Sequence, residues 1–396
     1  MVKPALVAPV SARLSWLDGV KGIAILWIVF FHFFNTYENG YYPSPIKTGY
    51  FALFVEQCAP TSILETLGCV GQAIFVAAIQ LGFHPVAVFI ILSGFGLAYS
   101  LAKTGNPQGG WPGWYRGRVL RLFPMYWLAH LLFLISPFVA RPEPVDYRFI
   151  LSFFGDRIYP VDSLFYYANP SWWYFGMLLQ LYLVFPLLFR LLQKLGVGWF
   201  LVVCGGVTFL TRYLLLTTIP LHGYYIQGAF FGSRLWEFAF GMAIGLLFRQ
   251  QPAWMEKQLF AGATLLAGIA IYSMGLYSYG PLVLYTFSDA LTGVGLFLIL
   301  AHVARWSEQL PRLGAMLARV GAFSYGLYLL HQPYVIYFGE RMRDLSMPMF
   351  VVLACIIIAL LTLGTIPLER YVNQLMDRLL DRRKESVQPS AVPTGG

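Results

Sequence analysis

Residues 17–32 read LDGVKGIAILWIVFFH. The stretch is an apolar helix of membrane-spanning character that nonetheless carries Lys21 near one end and His32 deep within it. Eleven residues at about 100° each complete three turns with roughly 20° to spare, so the two ionisable side chains share one face about 16 Å apart along the axis. Titratable groups in hydrocarbon are costly, and by default they mark a functional position. A neutral imidazole at that depth keeps a free ring nitrogen that can accept a proton. A histidine hydrogen-bonded between packed helices produces the same residue, so both readings stand at this point.

The rest of the chain agrees in class. Of 396 residues, 58% are hydrophobic and 11% charged, against about 25% charged in an ordinary soluble domain. This composition excludes a soluble enzyme and predicts an all-α polytopic integral membrane protein. About ten transmembrane helices are expected, near 19–36, 71–102, 119–139, 173–193, 196–216, 231–249, 258–276, 281–303, 319–338 and 347–367. The second is over-long, and Gly82 and Pro85 within it predict a break or strong tilt. Lys and Arg are concentrated in alternate loops, which places both termini in the cytoplasm.

The resulting organisation is a cytoplasmic segment over 1–18, a transmembrane domain over 19–370 and a cytoplasmic, partly disordered tail over 371–396, with order lost after Arg383. No cleaved signal peptide is expected, since the first residues lack the n-region, h-region and small-residue sequence. The net charge of +9 is explained by topology and anionic lipid, not by nucleic acid. Cys58, Cys69, Cys204 and Cys355 lack metal-ligand spacing, so no metal is expected. Cys58 and Cys69 lie in or beside one outer loop and can pair in an oxidising compartment. Residues 37–70 and 140–172 form two outer loops rich in Tyr, Pro and Asp, long enough to shape an outward pocket. Their aromatic residues suit sugar stacking and the membrane interface alike.

The second cluster of chemistry lies in WYRGRVLRLFPMYW, residues 114–127. Arg118 and Arg121 are three apart, hence neighbours on a helix, and with Arg116 and Lys21 they can hold a polyanion such as a pyrophosphate. A positive-inside helix end accounts for the same arginines. A phosphorylated carrier with a long narrow arm, coenzyme A above all, matches cations at an inner mouth. Asp18 can cap the first helix. His331 is a second intramembrane histidine, whereas His84, His130, His222 and His302 fall at loops or helix ends and read as structural.

Seven stretches together resemble the acyltransferase-3 family of membrane-bound acyltransferases: LDGVKGIAILWIVFFH, VFIILSGFGLA, YRGRVLRLFPMYWL, WWYFGMLLQLYLVFPLL, WEFAFGMAIG, SYGLYLLHQP and IPLERYV. The resemblance implies transfer of an acyl group, usually acetyl, from cytoplasmic acetyl-CoA or another acyl-CoA to a hydroxyl of a carbohydrate or lipid-linked glycan. The reaction would occur at the outer face of a bacterial inner (plasma) membrane. It implies that His32 is the catalytic base, that Lys21 stands at the family's arginine position and that Arg118 and Arg121 hold the CoA phosphates; Asp18, on the same helix, is a further catalytic candidate. It makes Ser93, Gly94 and Phe95 the SGF motif along the acyl channel. Tyr325 and His331 fall in SYGLYLLHQP as further candidates.

Two departures from the family are visible. Lys21 stands where relatives carry arginine, which keeps the charge and loses the planar fork. Leu178 and Leu179, followed by Gln180, replace a glutamate pair, so any proton handling there is absent or moved, for example to Glu237. Glu369 matches a family position and fits either catalysis or an ion pair with Arg370. The chain reads as the stand-alone form, without an SGNH esterase-like domain. Direct transfer is expected ahead of an acyl-imidazole intermediate. The competing class is a glycan or lipid-linked sugar exporter using His32 and Lys21 as a relay.

Overall fold

The computed structural model describes residues 14–107, 109–141 and 143–387, with side chains described through Leu379. Within them every regular element is helical and there is no strand. The order is α1 Ser15–Glu38, α2 Tyr50–Cys58, α3 Ile63–Gln80, α4 Pro85–Leu101, α5 Gly110–Ile135 and α6 Tyr147–Phe153. It continues with α7 Val161–Leu164, α8 Trp173–Thr218, α9 His222–Tyr224, α10 Leu235–Gln250, α11 Pro252–Leu259 and α12 Gly262–Tyr277. The last five are α13 Leu282–Tyr285, α14 Ser288–Ser307, α15 Pro311–Ala322, α16 Ser324–Arg341 and α17 Met347–Val387.

Among the described residues seven helices are long and apolar enough to cross a membrane, or up to nine if α11 with α12, bent by 60°, and α15 with α16, bent by 78°, each make one span. The protein is therefore a multi-pass membrane protein. The step from nine to the expected ten lies at one break, inside α8. The 49-residue stretch Pro170–Thr218 counts as one although Gly196, at φ 70° and ψ 170°, divides α8 into two arms. The over-long second segment is indeed broken, into α3, a 3-10 turn at Leu81–Phe83 and α4 with Pro85 in its first turn. Proline there sacrifices no helical hydrogen bond, which is why the chain can restart at that point.

The break positions the site. A side chain at Gly82 would fall 2.5 Å from Phe31 Cβ and 2.9 Å from the Trp27 carbonyl, so α1 rests directly on the turn and Phe31 and His32 lie beside Phe83 and His84. α1 also packs against α4, α14, α15, α16 and α17, which makes it the centre of the bundle. Its approach to α15 is backbone to backbone: a Cβ at Gly321 would meet Asp18 O at 1.8 Å, and one at Gly22 would meet Leu317 O at 2.1 Å. Van der Waals packing through such small residues is the main attraction available between helices in lipid.

One sequence expectation changes. α17 runs helically to Val387, beyond Arg383, because NQLMDRLLDRRKES holds good helix formers that extend the preceding span; residues 388–396 and 1–13 lie outside the described residues. Cys58 and Cys69, whose pairing the sequence leaves open, are free thiols, and the nearness of Cys69 together with burial pushes the Cys58 thiol up to about 11. The loop over 140–172 is ordered around a buried cation. Arg157, 1% exposed, donates to Ser152 Oγ and to the carbonyls of Phe165, Tyr167 and Asn169.

Candidate active site

Of the cavities lined by α1, two share Tyr328 of α16. The first, about 430 Å³, holds His32 and is bounded by the α3–α4 break, the 140–172 loop and α14. The second, about 550 Å³, holds Lys21, Ser93, Arg118, Arg121, Tyr325 and Glu369. Eleven residues separate Lys21 from His32, about 16 Å along the helix. The helix thus presents a cation to one cavity and an imidazole to the other. Tyr328 stands between them, its ring 5.1 Å from Tyr174 and 5.7 Å from His331.

In the histidine cavity, Gln332 Nε2 lies 3.4 Å from His32 Nδ1. With the amide in this orientation Gln332 donates, which makes Nδ1 the acceptor and leaves the ring proton to Nε2. The ring of His331, fully buried, lies 5.3 Å from that of His32. Asn35, Gln227 and Tyr166 supply further polar groups, and Trp173, Phe31 and Phe83 supply apolar walls. Tyr166 donates to Gln227 Oε1, and burial pushes its hydroxyl up to about 12, so it remains a neutral donor. Polar groups set among aromatic faces are suited to a polyhydroxylated molecule.

The cationic cavity is lined by seven helices, α1, α4, α5, α8, α15, α16 and α17. Lys21 Nζ sits 3.2 Å from Asp18 Oδ1, one turn back on α1. Asp18 lies inside the helix, which begins at Ser15 with Leu14 as its cap residue, and therefore is not the N-cap that its sequence position suggested. Arg118 lies 5.3 Å over the Trp114 ring, and neither it nor Arg121 has an ion-pair partner among the described residues. Two uncompensated guanidiniums one turn apart make a receptor for an anion. Arg118, Arg121 and Asn373 are shared with an adjoining cavity of about 220 Å³ that Gly113, Gly117 and the carboxylate of Asp377 also line. Glu369 accepts from Gly326 N at 2.7 Å and faces this cavity, while Arg370 lies over the Phe323 ring. Tyr325 donates to Leu122 O, tying α16 to α5, and Ser93 Oγ is 3.4 Å from Tyr174 OH.

Other candidates serve the frame. Arg116 is exposed and does not line the cavity, because two residues rotate it about 200° away from Arg118. Gly94 meets α10, where a Cβ would lie 2.1 Å from Phe238 O, and Phe95 is buried edge-on to Trp16. Gln180 donates to Ala229 O and accepts from Phe231 N, bracing the approach to α10. Glu237 is buried as the ion partner of Arg234, with Nε and Oε1 3.0 Å apart, and lines neither cavity. The structural readings of His130 and His302 hold: both rings are buried and bonded to neighbouring carbonyls, His130 also to Ser152 Oγ.

One group escaped sequence reasoning altogether. Arg212 and Arg234 each place Nη1 2.5 Å from Asp289 Oδ2, and Arg234 and Asp289 line the histidine cavity. His84, read as a helix-end residue, is buried beside them and bonds Tyr272 OH at 2.8 Å and Tyr279 OH at 3.1 Å. With Glu237 the four charges cancel, so the ion cluster stiffens one wall without making the cavity an anion site. The available signal was the presence of single charges, Arg212, Arg234 and Asp289, within or beside apolar segments.

The fold is a multi-pass helical bundle in which one helix presents an imidazole to one cavity and an ammonium to another. The sequence profile of the acyltransferase-3 family, described as an acyltransferase domain, matches residues 14–370, and the chain belongs to that family. Acyltransferase MdmB of Streptomyces mycarofaciens is 26% identical over 291 residues, covering 66% of this chain and 70% of that protein. No solved structure matches. The protein is thus a membrane acyltransferase.

Proposed function

We propose that the enzyme moves an acyl group, acetyl in the first instance, from acyl-CoA in the cationic cavity to a hydroxyl of a carbohydrate or glycan in the histidine cavity. The observation that carries this reading is the division of α1 between the two cavities, with Tyr328 common to both. Lys21, Arg118 and Arg121 hold the donor's phosphates, and its pantetheine arm runs past Ser93 towards Tyr328 over the roughly 16 Å that separates Lys21 from His32. His32 takes the proton of the acceptor hydroxyl as its oxygen forms a bond to the thioester carbonyl carbon. The carbon–sulfur bond then breaks, and the proton passes to the departing thiolate.

No covalent enzyme intermediate is needed, because both substrates reach one point from opposite ends. Lys21 acts as a compact point charge rather than a fork. Both termini lie in the cytoplasm in this scheme, so the donor enters from inside and the acceptor is modified at the outer face of a bacterial inner membrane. Membrane lipids surround the bundle, and no metal takes part.

Sidedness gives the test. Protein reconstituted in vesicles of known orientation should transfer labelled acetyl from acetyl-CoA supplied on the Arg118 side to a glycan supplied on the other, with the ester located by mass spectrometry. Equal transfer with both substrates confined to the His32 side would overturn the proposal.

A further inference from the structure

His331 is buried with 0% of its surface exposed, and it is not a fully satisfied core histidine. Its Nδ1 lies 2.8 Å from Tyr328 O and 3.2 Å from Leu327 O. Only an N–H can bond a carbonyl, so Nδ1 carries the proton and Nε2 is a lone pair. That lone pair has no hydrogen-bond partner among the described residues. A buried acceptor left unpaired costs stability, and the chain retains it beside the one imidazole in the cavity that is placed to act as a base.

The tautomers of the two rings are complementary. With Gln332 donating through its amide nitrogen, His32 accepts at Nδ1 and carries its proton on Nε2, while His331 presents a bare Nε2. The ring centres are 5.3 Å apart with planes inclined by 37°, and no hydrogen bond joins them in this arrangement, so a bond between the two rings requires the His32 side chain to turn toward His331. The Gln332 contact at 3.4 Å is long, which leaves Nδ1 open to displacement of the amide by a substrate hydroxyl.

We infer that His331 is the positioning residue for His32: its buried Nε2 accepts the His32 Nε2–H and stabilises the imidazolium that forms when His32 Nδ1 takes the acceptor's proton. The inference rests on the proposed role of His32 as base. The balance of the step is unchanged: the acceptor O–H breaks, the oxygen–acyl bond forms, the thioester C–S bond breaks and the proton leaves His32 for the thiolate. His331 neither gains nor loses a proton. Its Nδ1 anchors it to the carbonyl of Tyr328, so the residue that stands between the cavities also holds the ring that steers the base.

The substitutions His331→Asn and His331→Gln separate this role from packing. The shorter asparagine side chain retains an amide donor near the Tyr328 carbonyl and loses the acceptor at the Nε2 position, whereas the longer glutamine can place its carbonyl oxygen there. H331N should lower kcat by about 10- to 100-fold, the worth of one hydrogen bond to a charged group. KM for donor and acceptor should stay within about twofold, and H331Q should recover most of the loss. In an H32A background H331N should cost nothing further, since the group it serves is gone. The inference is overturned if H331N keeps wild-type kcat, if H331Q is no better than H331N, or if H331N costs the same factor with and without His32. Wild-type activity in H32A alone would overturn the base assignment instead, and this inference with it.

Discussion

Gly241→Ala adds one methyl group at the tightest point of the α4–α10 seam. An added Cβ there would lie 1.9 Å from Ile91 O and 2.7 Å from Ile91 C. Ordinary contact begins at 3.4 Å, so the two helices must part by about 1.5 Å, and because the obstacle is backbone no rotamer change relieves it. Overpacking of this kind costs roughly 1–3 kcal/mol. Ile91 is two residues from Ser93, which lines the cationic cavity, so the displacement is delivered to the proposed donor channel. A misplacement of about 1 Å can cost on the order of 10²-fold in turnover. The assay pairs thermal unfolding of purified protein with acyl-transfer rate. Gly71→Ala on α3, where a Cβ would meet nothing within 4 Å, is the control and should be neutral or slightly stabilising. If G241A melts with the wild type and keeps its turnover, close backbone contact does not position the channel.

The paired substitution Arg118→Ala, Arg121→Ala should weaken acyl-CoA binding by roughly 10²-fold or more in an equilibrium binding assay, whereas Arg116→Ala should leave affinity unchanged. Arg157→Ala removes hydrogen bonds to Ser152, Phe165, Tyr167 and Asn169 and should destabilise the protein by roughly 2–4 kcal/mol, with faster proteolysis of the 140–172 loop as the readout. Hydrogen bonding to Arg148 holds the Asp146 carboxyl below its usual range, so the loop gains stability from it above the ordinary carboxylate pKa and loses that gain as pH falls through the lowered value. Proteolysis of the loop should therefore rise with acidification below about pH 4, and Asp146→Asn should abolish that component.

The parts of the site that were legible in the sequence are local. Lys21 and His32 lie on one helix and Arg118 and Arg121 within one turn of another, so helical periodicity alone relates the members of each pair. Gly82 and Pro85 marked the break for the same reason: their backbone constraints act where they stand. What escaped was built across the bundle. Arg212, Arg234 and Asp289 are far apart in the chain and meet only when α8, α10 and α14 pack, and each alone looks like a charge at a helix end. Arg157 likewise gains its role from loop carbonyls that no spacing rule places around it. Arg116, Gln180 and Glu237 failed in the opposite sense: they had the right chemistry and the right neighbourhood, but faced away from both cavities.

The division of labour along α1 is tested most directly by measuring donor affinity and transfer rate together in His32→Ala. The account predicts that acyl-CoA binds as in the wild type, because its phosphates are held at the other end of the helix, while transfer falls by roughly 10²- to 10⁴-fold. Undiminished transfer, or a loss of donor affinity matching the loss of rate, would contradict it.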